Sequence, residues 1–338
     1  MRRPVGAAIA AALILASVPA GSQPATTVHT PTERDAVLVF VGRLGDALNV
    51  QIEGMKKLAE IGPLLQSLAT PSAIKANAPK LRALLAEARE AVARSDAMLA
   101  RIETPNVLIG GITPAQKIAE VRAQSAKGTT LLNDVETFLA AAERDDRQTV
   151  RKVIPKVMDG AFVLMDGNAT LYRTRQAGFP AAESTHQLLE IGEQLYSMMA
   201  EAGRAWLAVK LGGRGEAAAG ILRARLTDAA SRLRASSRDG KANLARELGE
   251  FDRSVARGSP RGEEAAIAAR LRRALEGRAA LFALGDELAD LAQSEAATSA
   301  ASLAAQPDPL LLGRIAAIEL RFQQSLIEQG QIASGNIR

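Results

Sequence analysis

Cysteine is absent from all 338 residues. That excludes disulfides, thiolate metal sites, a cysteine nucleophile and a lipidated-cysteine anchor. Histidine occurs twice, at His29 and His186, which restricts acid–base and metal chemistry severely. No Gly-x-Ser-x-Gly elbow is present, so the parts of a serine hydrolase are missing as well. Aromatic residues make up 3% of the chain. Such scarcity, with abundant alanine, favours close-packed helices over strands, which prefer β-branched and aromatic side chains. After the first twenty residues no apolar run is long enough to cross a membrane. These absences leave a non-catalytic protein with no cofactor as the expectation. A cell-wall-active hydrolase is the enzymatic alternative, because glycoside hydrolysis needs just two carboxylates that sequence cannot pair.

The start of the chain has three zones: Arg2 and Arg3, an apolar stretch of fourteen residues from Val5 to Val18, and Val18-Pro19-Ala20 before Gly21. That layout predicts a secretory signal cleaved after Ala20, export to the periplasm, and a soluble mature chain. A retained anchor is the alternative, although the stretch is short of the roughly 20 residues a spanning helix needs. Gly21 to Thr30 reads as a disordered lead-in.

Helix starts are marked by a capping side chain followed by proline or by a glutamate or glutamine three residues on. Thr30-Pro31-Thr32-Glu33 and Thr113-Pro114-Ala115-Gln116 carry both signals. Ser184-Thr185-His186-Gln187 and Asp145-Asp146-Arg147-Gln148 carry the capping box, while Ser259-Pro260 and Asp308-Pro309 carry the proline. Behind these starts the apolar spacing alternates three and four. Ile118, Val121, Ser125, Gly128, Leu132, Val135, Leu139 and Ala142 form one such stripe, and Leu188, Ile191, Leu195, Met198 and Ala202 another. Val37, Val41, Leu44, Leu48 and Ile52 repeat it in the first helix.

The expected fold is all-α, built from up-and-down helical bundles, two in tandem. Helices are predicted near 31–69, 72–103, 114–143, 146–176, 184–211, 215–236, 241–257, 260–304 and 309–329. Gly178-Phe179-Pro180 divides the chain into a bundle over 31–180 and another over 181–338. Pro155 inside the fourth helix predicts a kink or a later start.

Glu183, His186, Glu190 and Glu193 follow at steps of three, four and three. Glu183-Ser184-Thr185-His186 matches the Glu-x-x-His element of di-iron bundles, which makes Glu183, His186 and Glu190 candidate metal ligands. The other reading is a solvated helix face, because these side chains centre about 130° from the apolar stripe and negative charge suits a helix N-terminus. Asn106-Val107-Leu108-Ile109-Gly110-Gly111-Ile112 is an apolar connection. Val107, Leu108 and Ile109 could form a lid or docking patch, or tuck beneath the bundle, and burial favours the second. The glycine pair lacks the strand and the Gly-Lys-Ser/Thr ending of a phosphate loop.

Charge is unevenly placed. From Arg204 to Arg278 there are seventeen lysines and arginines against nine acids, so this segment is the candidate contact for an anionic envelope surface. Its interruption by Asp228, Glu247, Glu250, Glu263 and Glu264 equally suits an ordinary mixed-charge face. Nucleic acid is not expected as a partner, given export and so few aromatics to stack on bases.

Ile191-Gly192-Glu193-Gln194-Leu195-Tyr196-Ser197-Met198-Met199-Ala200-Glu201-Ala202 resembles the first-helix signature of the PilJ-type domain, the extracytoplasmic helical domain of type IV pilus methyl-accepting transducers. Gly192, Gln194, Ser197, Met199, Ala200 and Ala202 match with one gap, while the arginines of the signature do not. Val41-Gly42-Arg43 in the first helix stands at the corresponding point of an earlier copy, and Asp159 to Asp166 with Leu171-Tyr172 resembles the closing helix of such a copy. The resemblance implies two tandem copies and an extracytoplasmic sensor or adaptor that binds a small ligand or an envelope protein and signals through a partner. Arg43 and Arg204 are the candidate ligand-contacting arginines under this resemblance.

Overall fold

The computed structural model describes residues 31–66, 71–107, 113–211, 215–305 and 309–335. The expected signal segment and lead-in lie outside them, as do Leu108 and Ile109. Ten helices and no strand occur among the described residues, so the chain is all-α. They are α1 (Pro31–Gln66), α2 (Pro71–Leu99), α3 (Pro114–Glu143), α4 (Arg147–Gln176), α5 (Ser184–Leu211), α6 (Gly215–Gly258), α7 (Glu263–Glu276), α8 (Arg278–Ala296), α9 (Ala300–Ala305) and α10 (Pro309–Ser334).

Where a start signal is purely local, the backbone follows it. Thr113 forms the expected box: its Oγ1 accepts from the Gln116 N–H at 3.1 Å, and Gln116 Oε1 accepts from the Thr113 N–H at 2.8 Å. The cap of α4 sits one residue later than its sequence suggests. Asp146, not Asp145, accepts from the Thr149 N–H at 3.0 Å, because Asp145 takes a left-handed conformation with φ 60°. Helix α4 then runs through Pro155 to Gln176.

Two expected boundaries are corrected. The helices expected at 215–236 and 241–257 are one 44-residue helix, α6. Gly240, which falls in the expected gap between them, is a packing notch: a Cβ there would stand 2.1 Å from Phe282 Cε1, so only a residue without a side chain admits that ring. Conversely, the helix expected over 260–304 is three, α7, α8 and α9. Ser259-Pro260 is not its start. Ser259 is left-handed at φ 45°, Gly262 follows at φ 57°, and α7 begins at Glu263 with two acids in its first turn. Gly277 parts α7 from α8, and Ser299 caps α9 through its Oγ to the Ser302 N–H at 3.1 Å.

Helices α1 to α6 pack each on the next, α6 also packs on α8, and α10 returns to lie on α1, α5, α7 and α8. The division expected at residue 180 is therefore crossed by two helix pairs, α4 with α5 and α1 with α10. Gln331 of α10 donates to Asp46 of α1 at 2.9 Å. One apolar cluster joins Leu38 and Tyr172 to the stripe of α5 and to Leu226, Phe282, Leu288, Ile315 and Phe322. All five apolar stripe residues of α5 are buried. Smaller clusters tie α1 to the facing ends of α2 and α3, and α2 to α3. Val107 is half-buried against the first of these, while residues 108–112 of its apolar segment lie outside the described residues.

Candidate functional site

Helices α4, α5 and α6 are successive and antiparallel, so their residues meet in levels. Arg173 of α4 and Arg232 of α6 both reach Glu193 of α5, at 2.6 and 3.2 Å. One turn back along α5, Arg232 also reaches Glu190 at 2.5 Å. Two turns forward, Arg204 bonds Asp166 of α4 and, at 3.3 Å, Glu201. The first set is an ion-pair bar across the groove from α4 to α6, and the second ties α4 to α5 at the other end of that groove.

Between the bars several side chains are small or apolar: Ala169 and Thr170 on one wall, Ser197 and Met198 on the floor, Leu226 and Ala229 on the other wall. The result is a chamber of about 300 Å³. Gln194 and Ser197 supply amide and hydroxyl groups from its floor, and Arg225 and Asp228 supply charges from its wall. Arg225 and Asp228 are exposed and form no ion pair within 4.0 Å among the described residues.

Beyond the Glu190–Arg232 contact, a second hollow of about 470 Å³ opens between the N-terminal part of α5 and α6, bordered by His186, Gln187, Ser236, Asp239 and Asn243. His186 is held on both ring nitrogens. The Phe179 carbonyl lies 2.9 Å from Nδ1, and a carbonyl can only accept, so that nitrogen carries the proton. Nε2 accepts from Gln176 Nε2 at 3.1 Å. The ring thereby fixes the turn between α4 and α5, a structural task.

This turn has further fastenings. Glu247 accepts from the Ser184 N–H at 2.5 Å and from its Oγ at 2.7 Å, and Arg278 donates to the same Oγ at 2.7 Å. The capping box expected at Ser184 and Gln187 is accordingly not made: the hydroxyl serves Glu247, and the Gln187 amide donates to the Ala181 carbonyl at 2.7 Å. Arg278 is fully buried, and burial pushes its pKa down from the usual guanidinium value, against the opposing pull of Glu247.

On the opposite side of α5 lies a buried polar network containing both tyrosines of the chain. Tyr196 Oη donates to Glu319 Oε1 at 2.6 Å, and Gln323 Nε2 donates to Tyr172 Oη at 3.0 Å and Tyr196 Oη at 3.3 Å. Burial pushes the Glu319 carboxyl up to about 7, against the Tyr196 hydrogen bond, which pulls it down. Arg175, also buried, stands 5.8 Å from the Tyr172 ring centre, and burial lowers its pKa to about 10. Lys117 is buried close by, its pKa brought well down first by burial and then by Arg175.

The expected site residues separate clearly. Arg204 forms one bar of the chamber. Arg43 is exposed on α1 and does not line it. Glu183, His186 and Glu190 do not converge, and among the described residues no group of three or more histidines and carboxylates is arranged to hold a metal ion. The expectation that their face is solvated is corrected. Glu193 is only 2% exposed, because α4 and α6 rise on either side of that face and cover it. Of the seventeen basic residues between 204 and 278, eight form ion pairs among the described residues.

Arg173, Arg225, Arg232 and Asp228 do not stand out in the sequence. The available signal is complementarity: the acidic seam of α5 at 190, 193 and 201 faces, in antiparallel register, arginines seven apart at 225 and 232. No family model, curated protein or solved structure matches the chain.

Proposed function

We propose that the protein is an exported helical-bundle binding protein of the cell envelope, working as a ligand-sensing component that holds a small polar molecule between α4, α5 and α6. The observation that carries this reading is the chamber itself. It is bounded by ion pairs at both ends, floored in part by amide and hydroxyl groups, and walled in part by small residues, Ala169, Thr170 and Ala229, that leave room for a ligand. The lining is mainly polar and charged, with an apolar part formed by Ala169, Met198, Leu222, Leu226 and Ala229, which suits a polar molecule held by convergent polar groups.

The PilJ-type resemblance falls on the same helix. Of the matching residues, Gln194 and Ser197 line the chamber, and Gly192 admits the Tyr172 ring behind it. A hydrolase fits less well. Glu193, the most buried carboxylate of the groove, accepts from Arg173, Arg232 and Gln194, which leaves it no freedom to protonate a leaving group or attack a sugar.

The test is thermal unfolding of the mature protein against a library of small polar metabolites, repeated with Thr170→Trp. Thr170 is exposed on the α4 wall, so the indole can fill the chamber without entering the core. A melting temperature raised by a ligand in the parent and unmoved in the variant supports the reading. No rise with any compound, or an equal rise in both proteins, overturns it. Export is tested separately by the intact mass of periplasmic material, expected to begin at Gly21. A species keeping Met1 in the membrane fraction would mean an anchor.

A further inference from the structure

The charges of the chamber divide into committed and uncommitted groups. Arg173, Arg232 and Glu193 satisfy one another at one end, and Arg204, Asp166 and Glu201 at the other. Arg225 and Asp228 alone stand between the bars without an ion-pair partner among the described residues. They are one turn apart on α6, so their Cβ atoms lie about 5–6 Å from each other. A ligand bound there meets one positive and one negative group at close range.

That pairing narrows the ligand. A dianion would set its second charge against Asp228, Glu201 or Glu193, and a polyamine would set its own against Arg225, Arg173 or Arg232, at a cost that grows as water is excluded. A molecule carrying both charges on neighbouring atoms avoids either conflict. Its carboxylate meets the Arg225 fork, which can donate two parallel hydrogen bonds, and its ammonium meets Asp228. Beside this pair the lining turns apolar, through Met198, Leu222, Leu226 and Ala229. At about 300 Å³ the chamber is at the small end of ligand sites, which run to roughly 1,000 Å³.

The geometry points to a free α-amino acid with an apolar side chain as the ligand, its carboxylate on Arg225, its ammonium on Asp228 and its side chain against the apolar wall. This rests on the chamber being the ligand site, as proposed above.

The experiment is titration calorimetry of the full mature protein with L-leucine, L-methionine and L-valine, alongside leucinamide, which lacks the carboxylate, and N-acetyl-leucine, which lacks the ammonium. At least one of the three amino acids is expected to bind, and both derivatives to bind at least ten-fold more weakly. Arg225→Gln and Asp228→Asn should each weaken the amino acid at least ten-fold while melting like the parent, since both side chains are exposed. Equal binding of the derivatives, or of the parent and these variants, overturns the assignment. If dicarboxylates, polyamines or sugars bind and lose binding in Thr170→Trp while amino acids do not bind, the ligand class falls and the chamber stands. If no compound binds, both fall.

Discussion

Helix α5 separates two regions that bury the same chemical group in opposite ways. Glu193 on one side is 2% exposed and Glu319 beside the other is 3% exposed. Glu193 keeps two guanidiniums within 3.2 Å, those of Arg173 and Arg232, whose side chains remain 64% and 44% exposed. Glu319 has the neutral hydroxyl of Tyr196 at 2.6 Å, and burial raises its pKa to about 7. Burial alone therefore does not decide the state of a carboxylate. Where walls bring arginines that stay half in water, ion pairs satisfy the carboxylate. Where the neighbours are tyrosine and glutamine, a proton becomes the cheaper way to satisfy the group.

The largest expected effect comes from the backbone shared by the two regions. A Cβ on Gly192 would stand 2.3 Å from Tyr172 Cε1. Gly192→Leu forces that ring out of the network and α4 away from α5, so we expect a loss of about 3 kcal/mol or more. Urea unfolding followed by circular dichroism measures it. A midpoint within error of the parent would mean that α4 and α5 do not pack through this notch.

Next in size is the proton on Glu319. Its folded pKa of about 7 lies above the ordinary carboxyl value of 4.5, so the folded state holds the proton more tightly than the unfolded state. Stability from this group is full below pH 4.5 and falls as pH rises through 7, by about 3 kcal/mol in all. Glu319→Gln should remove that slope, matching the parent near pH 4.5 and exceeding it at pH 8. Parallel stability curves for the two proteins between those pH values would refute the assignment.

On the cleft side the corresponding change should run the other way. Glu193→Gln gives up hydrogen bonds to two guanidiniums and leaves Arg173 and Arg232 facing each other, a destabilisation of about 2 kcal/mol. Because the carboxylate is buried, raising salt from 0.05 to 0.5 M should change that loss little. A stabilising substitution here would erase the contrast with Glu319.

These regions were unequally legible in the sequence, for a physical reason. The apolar stripe of α5 and the box at Thr113 involve neighbours three and four residues apart, so spacing alone reveals them. Ser184 carries the same local signature as Thr113, yet its hydroxyl goes to Glu247, 63 positions away. Gly240 falls in an expected gap between helices, yet Phe282 packs on it from α8. Spacing alone sets the polar face of α5 about 130° from its stripe, but says nothing of the helices that cover it. Local chemistry sets what a segment prefers. The partner that overrides the preference is fixed by packing between helices and leaves no mark within a window of a few residues.

The smallest expected effect lies on the outer face of α6, where charges of the same kinds meet in water. Arg234 pairs with Asp290 of α8 at 3.0 Å, their side chains 52% and 75% exposed, and Lys241 pairs with Asp286. Each pair gains little Coulomb energy in a high dielectric and must hold two mobile side chains in place, so coupling energies of roughly 0.2–1 kcal/mol are expected. A double-mutant cycle on Arg234→Ala and Asp290→Ala, run at 0.05 and 0.5 M salt, isolates the coupling, which should shrink at the higher salt. The cycle at Glu193 with Arg173→Ala, by contrast, should keep most of its coupling in 0.5 M salt. If the outer pair proved as strong and as salt-resistant as the inner one, enclosure by α4 and α6 would not be what strengthens the Glu193 contacts. The chamber would then lose its claim to be a distinct electrostatic environment.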